Sequence, residues 1–360
     1  MRTLLFLISV IAACTACTEN AGDSLKMLVG TYTNNGSYGV YLYDFDSSTA
    51  QHAVLDSAKA GNPSFIVPSA DHRFAYAVSE YENGSQGVYS FLLGARSIEN
   101  LNFQKGTGGS PCNIVIAGGN VLTSDYGGGT LSVFPVLADG SAGERTGQFD
   151  PQRESVENIS RIHCAAVSPD GKYVFITDLG ADKIYRATLG GKAPADFCTA
   201  YSFDPEVHPG PRHLTFSPDG RFAYLISEKG DCISCFAYSD GELTHIETQL
   251  AYDGQGHGSA DIHISPDGRF VYTSHRLKAD GIALFERDPL SGKLTRKGYF
   301  PTGRHPRNFA LTPDGKLLLC ACRDDNRIEV YSVNPRTGEL TNTGKAVCVP
   351  SPVCIQLYLQ

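Results

Sequence analysis

The stretch Gly210-Pro211-Arg212-His213-Leu214-Thr215-Phe216-Ser217-Pro218-Asp219-Gly220 decides how this 360-residue chain folds. Leu214 to Phe216 reads as a short buried strand running into a Ser-Pro-Asp-Gly turn. Pro218 fixes φ, Asp219 caps the bend, and Gly220 takes the positive φ that follows. Directly before the strand stand Arg212 and His213, two groups suited to holding an anion.

The turn returns as Ser168-Pro169-Asp170-Gly171, Ser265-Pro266-Asp267-Gly268 and Thr312-Pro313-Asp314-Gly315, at steps of 49, 48 and 47 residues from Ser168. Val67-Pro68-Ser69-Ala70-Asp71 is a degraded copy and Ala117-Gly118-Gly119-Asn120 a looser one. Each turn leads into an aromatic-rich run with strand alternation, such as Arg221-Phe222-Ala223-Tyr224-Leu225-Ile226. Third and fourth strands follow, as in Arg327-Ile328-Glu329-Val330-Tyr331-Ser332 and Lys293-Leu294-Thr295-Arg296. Period-2 patterns bounded by Gly, Pro, Asn and Asp argue an all-β chain. Repeats of roughly 45–50 residues holding four strands are the signature of a β-propeller blade.

Copies of the pre-turn strand begin near Pro63, Pro111, Ile162, Pro211, Ser259, Pro306 and Pro352, which predicts a seven-bladed β-propeller. The last copy has no room for the rest of a blade. The N-terminal runs Met27-Leu28-Val29-Gly30-Thr31-Tyr32-Thr33 and Gly39-Val40-Tyr41-Leu42-Tyr43-Asp44-Phe45 supply it. One blade is therefore expected to be closed by N- and C-terminal strands, leaving no open sheet edge.

Residues 1–17 read as a lipoprotein-type signal peptide, 18–26 as a polar tether and 27–360 as the propeller domain. Arg2 precedes the apolar run Leu4 to Ile11, which is too short for a stable spanning helix and well shaped for export. Ile11-Ala12-Ala13-Cys14 resembles a bacterial lipobox, so Cys14, or else Cys17, is the candidate for lipidation. The expectation is an exported, membrane-anchored lipoprotein, periplasmic or on the outer membrane, and a cytoplasmic protein if the leader is misread. A formal charge of −8 argues against nucleic acid as a partner. Of eleven cysteines, two fall in the leader. Most of the rest sit on predicted core strands and read as small buried hydrophobes. Cys232 and Cys235 have C-x-x-C spacing, but positions i and i+3 of a strand face opposite ways.

In a propeller the innermost strand of each blade lines the central channel. The residue five before each turn gives Ser64, Cys112, His163, Arg212, Ala260, Arg307 and Val353. The next slot gives Phe65, Asn113, Cys164, His213, Asp261, Asn308 and Cys354. Second strands end near the same rim with Glu80, Asp125, Asp178, Glu228, Arg276 and Arg323. One arc collects His163, Arg212, His213, Glu228, Asp261, His275, Arg276, Arg307 and Asn308. Converging arginines suit a small ligand bearing carboxylate or phosphate; a structural ring of salt bridges is the plainer reading of the same residues. His263 reads as a satisfied core histidine, and His257 lies on a loop over the rim. No tight His/Asp/Glu spacing supports a metal, and nothing points to a cofactor.

These residues resemble the lactonase family of seven-bladed propellers, which includes bacterial cytosolic 6-phosphogluconolactonases and fungal carboxymuconate lactonizing enzymes. The resemblance covers about residues 27–356. It is carried by Val29-Gly30-Thr31-Tyr32-Thr33, Gly210-Pro211-Arg212-His213, Ser259-Ala260-Asp261-Ile262-His263 and Pro306-Arg307-Asn308-Phe309. It implies a cleft built from a histidine, two arginines and a glutamate, which fall by motif position on His163, Arg212, Glu228 and Arg276 as catalytic residues. It further implies hydrolysis of a sugar lactone, 6-phosphogluconolactone being the named substrate of the family.

The expected chemistry is lactone hydrolysis without a covalent intermediate. Glu228 or His163 would activate water, and Arg212 with Arg276 would stabilise the oxyanion. Substrate-binding roles are expected for His213, Asp261, His275, Arg307 and Asn308, with Arg307 and His213 holding the anionic end. Replacing Arg212 by alanine is expected to lower turnover far more than stability. A muconate-type cycloisomerase and a non-catalytic anion- or glycan-binding propeller are the alternatives, and oligomeric state is not legible.

Overall fold

The recurring turn is held by its own side chains. Ser217 Oγ donates to Asp219 Oδ1 at 2.5 Å, the Phe222 amide donates to Ser217 Oγ at 3.0 Å, and the Gly220 amide donates to the Ser217 carbonyl at 2.8 Å. Gly220 sits at a φ of 69°, open to glycine at little cost. The hydroxyl-to-aspartate bond recurs at Ser168, Ser265 and Thr312, and also in the degraded copy, where Ser69 Oγ donates to Asp71 Oδ1. Each clamp closes the hairpin between the first two strands of a blade.

The computed structural model describes residues 24–154, 159–204, 206–253 and 256–359. Among the described residues twenty-eight strands form seven four-stranded antiparallel sheets. The first blade takes its innermost strand, Pro352–Tyr358, from the C-terminus and its other three from the N-terminus, Ser24–Thr31, Gly39–Asp46 and His52–Lys59. Val29 lies opposite Ile355 and Leu28 opposite Gln356 in that junction, so the ring closes as the repeat requires. Blades two to seven follow in chain order. Their innermost strands are Ile66–Pro68, Pro111–Ala117, Ile162–Val167, Pro211–Phe216, Ser259–Ile264 and Pro306–Leu311.

Two boundaries differ from the sequence reading. The first strand starts at Ser24, inside the segment assigned to the tether, because Leu25 is buried opposite Phe45 and Lys26 pairs with Asp44. The second blade starts its ladder at Ile66 rather than near Pro63. Cys14 and Cys17, with the rest of the leader, lie outside the described residues.

The core is divided among the wedges between blades. Tyr224, Ile226 and Ile233 of the fifth blade, for example, pack with Val271, Ala283 and Phe285 of the sixth. Cys112, Cys164, Cys232, Cys235, Cys320, Cys322 and Cys354 are buried free thiols, whereas Cys198 and Cys348 are exposed.

Innermost strands also carry a shared irregularity. The register slips between Pro111 and Asn113, Ile162 and Cys164, Pro211 and His213, Ser259 and Ile262, and Pro306 and Asn308. Such a β-bulge sets two residues against one and re-aims a side chain. The slipped positions include Cys112, His163, Arg212, Ala260 and Arg307, the slot counted back from the turn.

Candidate active site

Arg212 is the second residue of the innermost strand of the fifth blade, and Glu228 directly follows that blade's second strand, so the hairpin brings both to one rim. Arg212 Nε donates to Glu228 Oε2 at 2.7 Å, and Arg276 Nη2, from the sixth blade, lies 3.2 Å from the same oxygen. Arg212 is 1% exposed. Its Nη1 donates to the Ala260 carbonyl, fixing the guanidinium across the blade boundary. Arg276 Nε donates to the Gly258 carbonyl at 2.9 Å. Among the described residues Glu228 Oε1 takes no hydrogen bond.

Burial alone would raise the Glu228 carboxyl, but Arg212, Arg276 and Arg307 outweigh it and hold the group below the usual carboxylate range. Arg276 is drawn down to about 9 by burial and by Arg212, against the pull of Glu228. His163 is buried, its Nδ1 has no partner among the described residues, and its ring meets Tyr126 and His213 edge-on at 5.7 and 5.3 Å. Burial and the surrounding arginines push its pKa well below the ordinary value, so the imidazole is neutral.

Arg307 completes the arc. Its Nη2 lies 3.7 Å from Glu80 Oε2, and its guanidinium stands 5.5 Å from the centre of the Tyr32 ring. The Tyr32 hydroxyl donates to Glu80 Oε2 at 2.9 Å. Burial would lower the Arg307 pKa, but Tyr32 and Glu80 more than reverse that. With Tyr32 from the first blade, Glu80 from the second and Tyr126 from the third, every blade contributes to the mouth.

The remaining expected ligand residues lie elsewhere. His213, Asp261 and Asn308 form a hydrogen-bonded layer beneath the arginines. Asp261 Oδ1 accepts from His213 Nδ1 at 2.7 Å, and Oδ2 accepts from Asn308 Nδ2 at 2.5 Å and His263 Nε2 at 3.0 Å. Burial brings His213 down to about 4, with Arg212 adding to the shift and Asp261 opposing it. The neutral ring therefore donates from Nδ1 and offers the Nε2 lone pair to Arg212 Nη1, 3.3 Å away. Asn308 thus holds Asp261, Asp261 holds His213, and His213 holds Arg212.

His275 requires a correction. Alternation along Phe270–His275 turns it into a wedge, where it bonds Ser259 Oγ and Thr273 Oγ1 at 2.8 Å each and packs against Tyr252. The mouth is reached by the next residue, Arg276. His257 is exposed, at a φ of 51°, and donates from Nδ1 to the Lys229 carbonyl.

Tyr32, Tyr126 and His305 were not expected at the site, and Glu80 was expected on the rim outside the arc. His305 Nε2 lies 3.5 Å from Arg276 Nη1. Tyr32 stands within Val29-Gly30-Thr31-Tyr32-Thr33, whose glycine was the available signal. A Cβ on Gly30 would stand 2.3 Å from the Pro63 carbonyl oxygen, so only glycine lets the first blade approach the second here. Among the described residues no group of three or more His, Cys, Asp or Glu could hold a metal ion.

The family model described as "Lactonase, 7-bladed beta-propeller" matches residues 26–357. A 6-phosphogluconolactonase of Bacillus subtilis is 32% identical, over 92% of this chain and 98% of the relative. A Bacteroides fragilis crystal structure, provisionally named 6-phosphogluconolactonase, superposes with a TM-score of 0.89 at 40% identity, covering 94% of this chain and 99% of that one. A periplasmic gluconolactonase of Pseudomonas aeruginosa superposes with a TM-score of 0.84 at 28% identity, covering 93% and 99%.

Proposed function

The chain belongs to the seven-bladed β-propeller lactonase family, and we propose that it hydrolyses a sugar lactone at the mouth of its channel. The observation that carries this reading is the Arg212–Glu228–Arg276 constellation. One carboxylate oxygen is fixed by two guanidinium groups, while the other takes no hydrogen bond from the described residues.

Glu228 is the acceptor we assign for the water proton. Its side chain is 27% exposed, whereas His163 is 4% exposed with a sealed Nδ1. A water on Glu228 Oε1 gives its proton to the carboxylate as its oxygen adds to the lactone carbonyl carbon. The oxyanion that forms is met by guanidinium donors already in place, which stabilises it without reorganisation. The ring C–O bond then breaks, and the proton passes to the ring oxygen. Water has been added across the acyl–oxygen bond, and the product is an open hydroxy acid. Sugar lactones open slowly by themselves, so the acceleration required is modest.

The relatives do not favour the cycloisomerase or binding-module alternatives. Turnover of 6-phosphogluconolactone, gluconolactone and a uronic-acid lactone, each corrected for spontaneous opening, tests the reading. Hydrolysis that disappears in Glu228→Gln supports it, and no hydrolysis of any of the three overturns it.

The chain's route to the membrane is part of the same proposal. The apolar run Leu4 to Ile11 and the lipobox-like Ile11-Ala12-Ala13-Cys14 support export and lipidation at Cys14, with Cys17 as the second position. Labelling of the cellular protein with a radioactive fatty acid, lost in Cys14→Ala, is the expected result; an unlabelled wild-type chain would place the protein elsewhere.

A further inference from the structure

The second ring of channel slots has a structural job, and the fifth blade departs from it. Asn113 Oδ1 accepts the Ala165 amide at 3.1 Å, Asp261 Oδ2 the Phe309 amide at 3.3 Å, and Asn308 Oδ1 the Ile355 amide at 2.7 Å. Each bond clasps the innermost strand of one blade to that of the next. In the fifth blade the slot holds His213, and the amide it would clasp, that of Ile262, bonds Asp261 Oδ1 instead at 3.0 Å. His213 is turned to Asp261 through Nδ1 and to Arg212 through Nε2.

An amide side chain is enough for the clasp at Asn113 and Asn308, so the clasp does not account for a buried carboxylate at Asp261. Its oxygens accept from the amides of Ile262 and Phe309 and from the side chains of His213, His263 and Asn308. Burial would raise the carboxyl, but His263 and His213 outweigh that and hold it well below the usual carboxylate range. An ionised carboxylate can only accept. The neutral His213 therefore carries its proton on Nδ1, and Nε2 is a bare lone pair.

Arg212 shows what that lone pair does. Its Nε–H goes to Glu228, and Nη1 is shared between the Ala260 carbonyl and His213. Among the described residues Nη2 makes no hydrogen bond to the protein, so its two hydrogens are the donors left for a ligand. The guanidinium is planar and rigid, so anchoring Nε and Nη1 fixes where Nη2 points.

We propose that Asp261 is a positioning residue for the hydrolysis: by fixing the tautomer of His213 it locks the Arg212 guanidinium, so that Nη2 meets the oxyanion. The role rests on the hydrolase reading above, and it holds for a lactone with or without a phosphate.

The test is Asp261→Asn in the full chain, kept in detergent. Asn308 is pinned by the Ile355 amide and turns its Nδ2 to position 261, so the new side chain keeps its oxygen on that side and turns its NH2 to His213. Nδ1 must then accept, the proton moves to Nε2, and two donors face each other at Arg212 Nη1. Turnover of the preferred lactone is measured per folded molecule, the folded fraction coming from urea denaturation. It is expected to fall about tenfold to a hundredfold in kcat, the scale of a misplaced group. KM should change by less than about twofold, because the oxyanion exists only in the transition state. Nitrogen-15 NMR of histidine-labelled protein, with His213 assigned by the signal lost in His213→Gln, reads the tautomer. The wild type should show the proton on Nδ1 and Asp261→Asn should show it on Nε2. A wild-type His213 that is charged, or protonated on Nε2, overturns the proposal without recourse to the Asp261 variant. An unchanged kcat in Asp261→Asn, a loss confined to KM, or a fall in kcat with the tautomer unchanged does so as well. Wild-type protein that opens no lactone sinks the hydrolase reading and takes this role with it, whereas an active wild type beside an indifferent variant sinks the role alone.

Discussion

Arg212 Nε and Glu228 Oε2 stand 2.7 Å apart at the open end of one hairpin, with Arg212 almost fully buried and Glu228 partly open to the channel. The pair joins the fold to the chemistry. The bulge at Arg212 aims the guanidinium, the hairpin supplies its carboxylate, and the carboxylate presents its second oxygen to the mouth.

Arg212→Ala is therefore expected to act on two levels. Turnover of the preferred lactone should fall about a hundredfold or more, the scale of losing a preorganised oxyanion donor. Stability should fall as well, by about 3–5 kcal/mol, because the Ala260 carbonyl loses its donor and the partly buried Glu228 one of its two cations. This revises the expectation that alanine would lower turnover far more than stability. Urea denaturation beside lactone hydrolysis measures both. Full turnover in a folded Arg212→Ala protein would remove Arg212 from the mechanism.

Glu228 sets the acid limb of the reaction. Its folded-state pKa is held below the usual 4.5 because the arginines outweigh burial, so the base stays ionised through the ordinary carboxylate range. The sign follows: kcat/KM should stay level from neutrality down past pH 4.5 and fall only as pH drops through the lowered value. Glu228→Gln should abolish this limb together with most of the turnover. An acid limb centred near the ordinary histidine value of 6.5 would instead assign the base to a histidine.

The bulges explain how far the site could be read without coordinates. They occupy equivalent positions in successive innermost strands, so counting back from Ser168, Ser217 and Thr312 reaches His163, Arg212 and Arg307. Glu80 aligns with Glu228 and Arg276 at the ends of second strands, yet it stands two blades before the arc in sequence order and falls outside it, and Tyr32 belongs to the blade split between the termini, where no turn precedes it to count from. Depth was not legible either. Asp261 and Asn308 occupy channel slots, but only three dimensions show that Asn308 is taken up by Asp261 and the Ile355 amide, and Asp261 by His213, His263 and Asn308. His275 and Arg276 are sequence neighbours, and strand alternation gives the mouth to one and the wedge to the other.

His275 offers a test of the fold apart from the chemistry. Burial, aided by Arg276, brings its folded-state pKa down to about 3, whereas the unfolded chain protonates it near 6.5. Above pH 6.5 both states are neutral and the packing around Tyr252 is retained in full. Below it the unfolded state takes up a proton that the folded state refuses, so stability drains away as pH falls, at up to about 1.4 kcal/mol per pH unit for this one group. His163, His213 and His305 are shifted in the same direction and add to the slope. The urea midpoint should therefore drop steeply between pH 7 and pH 5. His275→Gln keeps a side chain able to bond Ser259 and Thr273 and carries no titrating group. It should lose some stability at pH 7 and show a shallower slope, by about one proton's share. An equal slope in the variant would mean that His275 accepts its proton in the folded state and is not sealed in the wedge between Tyr252 and Tyr299.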